Sequence, residues 1–164
     1  YLIDKWQNTE CCESDYEFFR QYSWVVISAN LSNKAALKIF DNVIYAIKTG
    51  NSVKSVFNHD KKASAIEYIF KHRNEVFDKY NKIKNVNEKL YFLNTLPWIG
   101  PTNRYHLARN LGLDVCKPDR HLKRIADYYN TTPDKLCQKL SNESGDRIGV
   151  VDYVIWRAGN LNMI

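Results

Sequence analysis

Residues 95–124, TLPWIGPTNRYHLARNLGLDVCKPDRHLKR, constrain the fold of this chain more than any other stretch. They divide into a tight apolar turn, Leu96-Pro97-Trp98-Ile99-Gly100, a helix expected from Pro101 to about Leu111, and a second helix opened by Asp119 after Pro118. Gly100 is expected to supply a positive φ and so a sharp reversal. Pro101 suits a first helical turn, where its missing N–H costs nothing, and Gly112 suits the helix end. The N–H groups after Gly100 would then point outward with the positive end of the helix dipole behind them, which makes an anion site. Thr95, Leu96 and Ile99 would hold the turn against a preceding helix over 86–94.

Leu96, Pro97, Ile99 and Gly100, then Leu107, Ala108, Leu111 and Gly112, then Asp119, His121 and Arg124 together resemble the helix-hairpin-helix DNA glycosylases of the endonuclease III, MutY and AlkA type. A lone L-P-x-I-G occurs in many non-enzymatic DNA-binding modules. A hairpin with an aspartate 19 residues past its glycine is more specific, because the two parts do different jobs. The resemblance implies a two-lobed all-α fold with a cleft. One lobe would be a six-helix barrel over 15–113 ending in the hairpin (about 86–111), and the other would combine 1–14 with 114–164, the whole forming one compact unit.

Helical periodicity supports the fold class independently. Ser14-x-x-Glu17 is a capping box, followed by Phe18, Tyr22, Val25, Val26 and Ala29 at helical spacing. Ser32 or Asn33 opens the next helix, with Ala36, Phe40, Val43, Ile44 and Ile47 inward and Gly50 as its stop. A short helix is expected over 52–57, another from Asp60, and a further turn or helix around Val76–Tyr80. After Asp119, the residues Leu122, Ile125, Ala126 and Tyr129 keep the 3.6 period. Thr132-Pro133 starts another helix. Asp146 opens the last, with Ile148, Val151, Val154, Ile155 and Ala158 inward. No strand pattern of any length is present.

The chain has 164 residues, 45% of them hydrophobic, and a net charge of +6. That supports a folded core and favours a polyanionic partner. No run approaches the ~20 apolar residues of a membrane helix. The chain begins at Tyr1, which leaves room for an upstream segment. Cysteines 11, 12, 116 and 137 show neither a disulfide framework nor a C-x-x-C zinc pattern. Some endonuclease III relatives carry an iron–sulfur cluster on four clustered C-terminal cysteines, whereas this chain has only Cys137 in that region, so no cluster and no other metal is expected. The resemblance does allow a monovalent cation between hairpin carbonyls and phosphate. Reduced thiols and a DNA partner fit a cell interior: prokaryotic cytoplasm or nucleoid, or a nucleus if eukaryotic.

Removing a base from deoxyribose builds positive charge on the sugar, and a carboxylate beside that carbon stabilises it and can activate water. The resemblance gives Asp119 this role. Its spacing alone makes it a helix cap, and the two roles are compatible. DNA contacts are expected from Leu96, Trp98, Ile99, Gly100, Thr102, Asn103 and Arg104 in the hairpin. Lys117, Arg120 and Lys123 join them around Asp119, while Arg124 braces the fold. His121 matches a family histidine taken as structural at the helix start and belongs to the same DNA-facing set. Asn30 matches the position of a polar residue that fills the gap left by an extruded nucleotide, and is equally a plain helix-terminal Asn. Trp24, Tyr153 and Trp156 are candidates for an aromatic base pocket, against the alternative of simple core packing.

One departure from the family matters. Members that also cut the DNA backbone attack the sugar with a lysine two residues after the hairpin glycine, where this chain has Thr102. The expectation is therefore a monomeric, monofunctional N-glycosylase acting on damaged or mismatched duplex DNA through an Asp119-activated water. Oxidised purines, alkylated purines and mismatched pyrimidines all fit. The rivals are a non-catalytic lesion-sensing protein, and a glycosylase/lyase whose amine has moved, with Lys117 as the substitute.

Overall fold

The computed structural model describes residues 11–161 and 163. Among them are nine α-helices and no strand, so the fold is all-α. The helices are α1 (Asp15–Ser28), α2 (Asn33–Thr49), α3 (Asp60–Lys71), α4 (Arg73–Lys82), α5 (Val86–Asn94), α6 (Asn103–Asn110), α7 (Arg120–Tyr128), α8 (Pro133–Ser144) and α9 (Ile148–Asn160). The expected short helix at 52–57 is a single 3-10 turn, Val53–Ser55. The chain divides into two compact units within α6, between Leu107 and Ala108. Of residues 1–14, grouped from sequence with the C-terminal half, 1–10 lie outside the described residues. No helix of the described residues is long and apolar enough to cross a membrane.

Residues 12–107 are built around α1, which packs against α2, α3 and α4. Ser14 caps α1 by accepting from the Glu17 N–H. Six of its side chains, Phe18, Phe19, Tyr22, Val25, Val26 and Ile27, are wholly buried, so apolar surface removed from water holds this helix at the centre. Ser32 caps α2, and Gly50 ends it in the left-handed conformation. Glu67 of α3 accepts from Ser52 Oγ and the Val53 N–H, which fixes the 3-10 turn to α3. Asn85 caps α5. Beyond α5 the Tyr22 hydroxyl donates to Pro97 O at 2.8 Å, tying the hairpin turn to the central helix.

From Ala108 onward, α7, α8 and α9 enclose a second core of Cys116, Leu122, Ala126, Leu136, Cys137, Val151 and Ile155. Thr132 caps α8 with Pro133 in its first turn, as expected. Several expectations need correction, among them that Asp146 opens the last helix, whose N-cap is Arg147. Helix α6 starts at Asn103, not Pro101, because Pro101 and Thr102 form a turn closed by the Arg104 N–H on Gly100 O. Tyr129 lies past the end of α7 and is 64% exposed. Val154 is 46% exposed, and the inward stripe of α9 instead includes Asp152.

The Tyr22 hydroxyl belongs to a fully buried side chain. Tyr22→Phe leaves Pro97 O without this donor and is expected to lower the unfolding free energy by about 1–2 kcal/mol in urea titrations. An unchanged midpoint would show that the bond adds nothing to the anchoring of the turn.

Candidate active site and nucleic-acid interface

The reversed turn does not depend on Gly100. Its positive φ sits at Trp98 (φ 63), and Gly100 is not in the left-handed region. A non-glycine residue there costs on the order of 1–2 kcal/mol. Packing offsets the strain: the Trp98 ring meets His59 edge-on at 5.2 Å and lies 5.9 Å from Lys62 Nζ, yet stays 45% exposed. Gly100 serves the site differently. A Cβ built there meets nothing within 4 Å, so the backbone is open to close approach from outside. Leu96 and Ile99 are buried, so their expected contacts with a strand can come only from backbone atoms. Thr102, Asn103 and Arg104 are half-buried at the start of α6. The Arg104 guanidinium folds over the Tyr105 ring at 4.9 Å and donates to its hydroxyl.

Lys62 is the charged residue of this unit that sequence reasoning missed. It is buried, and Nζ donates to Val26 O at 2.7 Å and reaches Ala29 O at 3.5 Å. Burial pushes its pKa below the usual lysine range. It therefore satisfies carbonyls at the end of α1, next to exposed Asn30, and supports Trp98 as well. Asn30 itself is left-handed (φ 67), which explains an asparagine there by backbone geometry and leaves its side chain exposed. Trp24 packs edge-on against Phe40 at 5.6 Å.

In the other unit Asp119 is the N-cap of α7. Its Oδ1 accepts from the His121 N–H at 2.9 Å and the Leu122 N–H at 3.1 Å. Its Oδ2 has no hydrogen-bond partner among the described residues, and the side chain is partly exposed. Arg120, Lys123 and Arg124 are exposed on the same helix. The His121 ring packs against the backbone at Gly159, so its placement is structural, and Arg120 Nε reaches its Nε2 at 3.4 Å. Tyr153 and Trp156 are brought together, with ring centroids 5.7 Å apart, in this unit, while Trp24 belongs to the other.

Behind Asp119 lies a pair that sequence reasoning did not name. Asp152 is 1% exposed and pairs with Arg109 of α6, and its Oδ2 also accepts the Lys117 N–H at 3.0 Å. Burial raises the Asp152 pKa to about 6, against the opposing effect of Arg109. Burial also lowers the pKa of Lys117, partly offset by Asp119. A signal for Asp152 was present: it follows Ile148 by four positions and precedes Ile155 by three, a carboxylate on an apolar stripe. Among the described residues no group of three or more His, Cys, Asp and Glu side chains could hold a metal ion.

No protein-family model matches the sequence, and no curated protein matches it. Solved structures do. The 8-oxoguanine DNA glycosylase of Methanocaldococcus jannaschii matches with a TM-score of 0.70 and 20% identity over 96% of this chain and 83% of that one. The same organism's 8-oxoguanine glycosylase/lyase, bound to a 15mer DNA containing 8-oxoguanine, matches with a TM-score of 0.68 and 20% identity over 94% and 87%. This chain is thus similar in fold to a DNA glycosylase, as the hairpin and the aspartate segment implied.

A Cβ on Gly159 would stand 2.5 Å from His121 Nδ1. Gly159→Ala is expected to lose about 1–3 kcal/mol of stability through overpacking, despite alanine's helix preference of about 1 kcal/mol. A higher melting temperature for the variant would show that the His121 ring is not confined.

Proposed function

We propose that this protein is a DNA N-glycosylase of base-excision repair that extrudes a damaged or mismatched base from duplex DNA and hydrolyses its glycosidic bond. The observation that carries this reading is the division of labour within Asp119: Oδ1 is held by two backbone N–H groups, while Oδ2 has no partner among the described residues at a partly exposed helix start. A carboxylate fixed in this way can face a sugar carbon, stabilise the positive charge that builds as the base leaves, and orient or deprotonate the attacking water. Arg120 and Lys123 are exposed on the same helix and suited to phosphates, which position DNA without reading sequence. The open backbone at Gly100 and the start of α6 offer a phosphate a second hold. The chemistry as drawn uses water, DNA and this one side chain, acting as a monomer in the cell interior.

The fold neighbour's 8-oxoguanine makes an 8-oxoguanine duplex the first substrate to try, within a panel of oxidised, alkylated and mismatched duplexes. Asp119→Asn keeps a good cap, since asparagine and aspartate cap equally well. It should therefore leave stability within about 0.5 kcal/mol and lower excision by about 100-fold or more, the scale of losing one preorganised electrostatic contact. Excision at the unaltered rate would remove Asp119 from the reaction.

One observation favours a second reading, in which an amine attacks the sugar. Thr102 leaves the hairpin without a lysine, but burial lowers the pKa of Lys117, two residues before Asp119, and so enriches its neutral, nucleophilic form. Borohydride treatment on a preformed abasic duplex separates the two. A covalent adduct that disappears in Lys117→Gln supports the amine route, and no adduct supports water.

A further inference from the structure

The segment from Leu113 to Asp119 has no regular structure. Its backbone bonds are short-range and include Val115 N–H to Leu113 O and Asp119 N–H to Lys117 O. Side chains and α9 hold it in place. Gly149 N–H donates to Asp114 Oδ1 at 3.0 Å, and Arg147 Nε lies 3.7 Å from the same oxygen. Cys116 Sγ donates to Asp134. The hold nearest Asp119 is the Lys117 N–H on Asp152 Oδ2, and the same oxygen takes Arg109. Lys117 O in turn accepts the Asp119 N–H at 2.7 Å. One buried oxygen thus fixes Lys117 through its N–H, and the carbonyl of the same residue holds Asp119.

We propose that Asp152 is a positioning residue for Asp119: as a carboxylate it clamps the Lys117 peptide and Arg109 together, and on protonation it releases both. This rests on the glycosylase reading only for its effect on rate, since the clamp itself is a property of the fold.

The charged groups facing Asp152 are Arg109 from α6, Lys117 from the loop and Asp119 from the α7 cap. Burial dominates, with Asp119 adding to it and Arg109 opposing, and together they push the carboxyl's pKa up from 3.8 to about 6. The sign for stability follows. Between those two values the folded chain binds a proton that the unfolded chain does not, so this group's contribution to stability rises as pH falls through the window. Activity is expected to move the other way, because the neutral acid no longer offers a charge to its two donors. A purely structural role for Asp152 does not separate the two curves in that manner.

The test has a readout that needs no substrate. The Lys117 amide proton, followed by NMR in the unmodified chain, is expected to shift with a midpoint at about pH 6 and to stay flat in Asp152→Asn. On a duplex that the protein cuts, the excision rate should fall on the acid side with the same midpoint. Asp152→Asn should be slower at neutral pH by on the order of 10- to 100-fold, as expected for sub-ångström to ångström misplacement, and should lack that acid limb. A Lys117 amide that does not titrate within a unit of the midpoint overturns the clamp, as does an Asp152→Asn variant with the unaltered rate and acid limb. A titrating amide in a protein that cuts no duplex supports the clamp and sinks only the glycosylase reading. The titration needs only the native chain, so a variant that does not fold still leaves it decisive, and Asp152→Glu then provides the rescue comparison.

Discussion

Taking a charge out of water costs several kcal/mol unless partners replace the solvent. Among the described residues, each compact unit of this protein meets that cost at one buried charged side chain. In residues 12–107 it is Lys62, whose ammonium is solvated by carbonyls at the end of α1. In the C-terminal unit it is Asp152, solvated by Arg109 and a backbone N–H. Lys62 secures the C-terminal end of α1, and Asp152 secures the loop that ends in Asp119. The apolar cores hold the helices together, and the buried ions fix a helix end in one unit and a loop in the other.

The hairpin turn shows a related trade. Trp98 occupies a strained left-handed position and keeps it because His59, Lys62 and the neighbouring Tyr22–Pro97 bond surround the turn. With the reversal made at Trp98, Gly100 is free of that duty. Its missing side chain leaves the entrance of α6 uncovered. Strain at one residue and emptiness at another are two parts of one surface feature.

Much of this was legible in the sequence, and the reasons are local. Caps at Ser14, Ser32, Thr132 and Asp119 are short-range patterns, and all four are observed. The apolar stripes of α1 and α2 follow directly from their 3.6 period. Glycine in a turn is normally there for its φ, so the sequence points to Gly100, whereas the structure has the positive φ at Trp98. Periodicity read from apolar residues alone does not reveal Lys62 and Asp152. Each sits in register with them, Lys62 four before Ile66 and Asp152 three before Ile155, and a lone charge in such a stripe announces a buried partner without saying which. The partners of Asp152, at positions 109 and 117, are 43 and 35 residues away, a separation that no local pattern spans.

Asp119 holds its helix through an oxygen that asparagine also possesses. On the proposed reading, architecture and reactivity at this position therefore hang on different atoms of one side chain, and a single-nucleotide codon change would discard the second without disturbing the first. Under that proposal, such a scaffold would give selection a short path from an enzyme to a silent reader of the same surface, and an equally short path back.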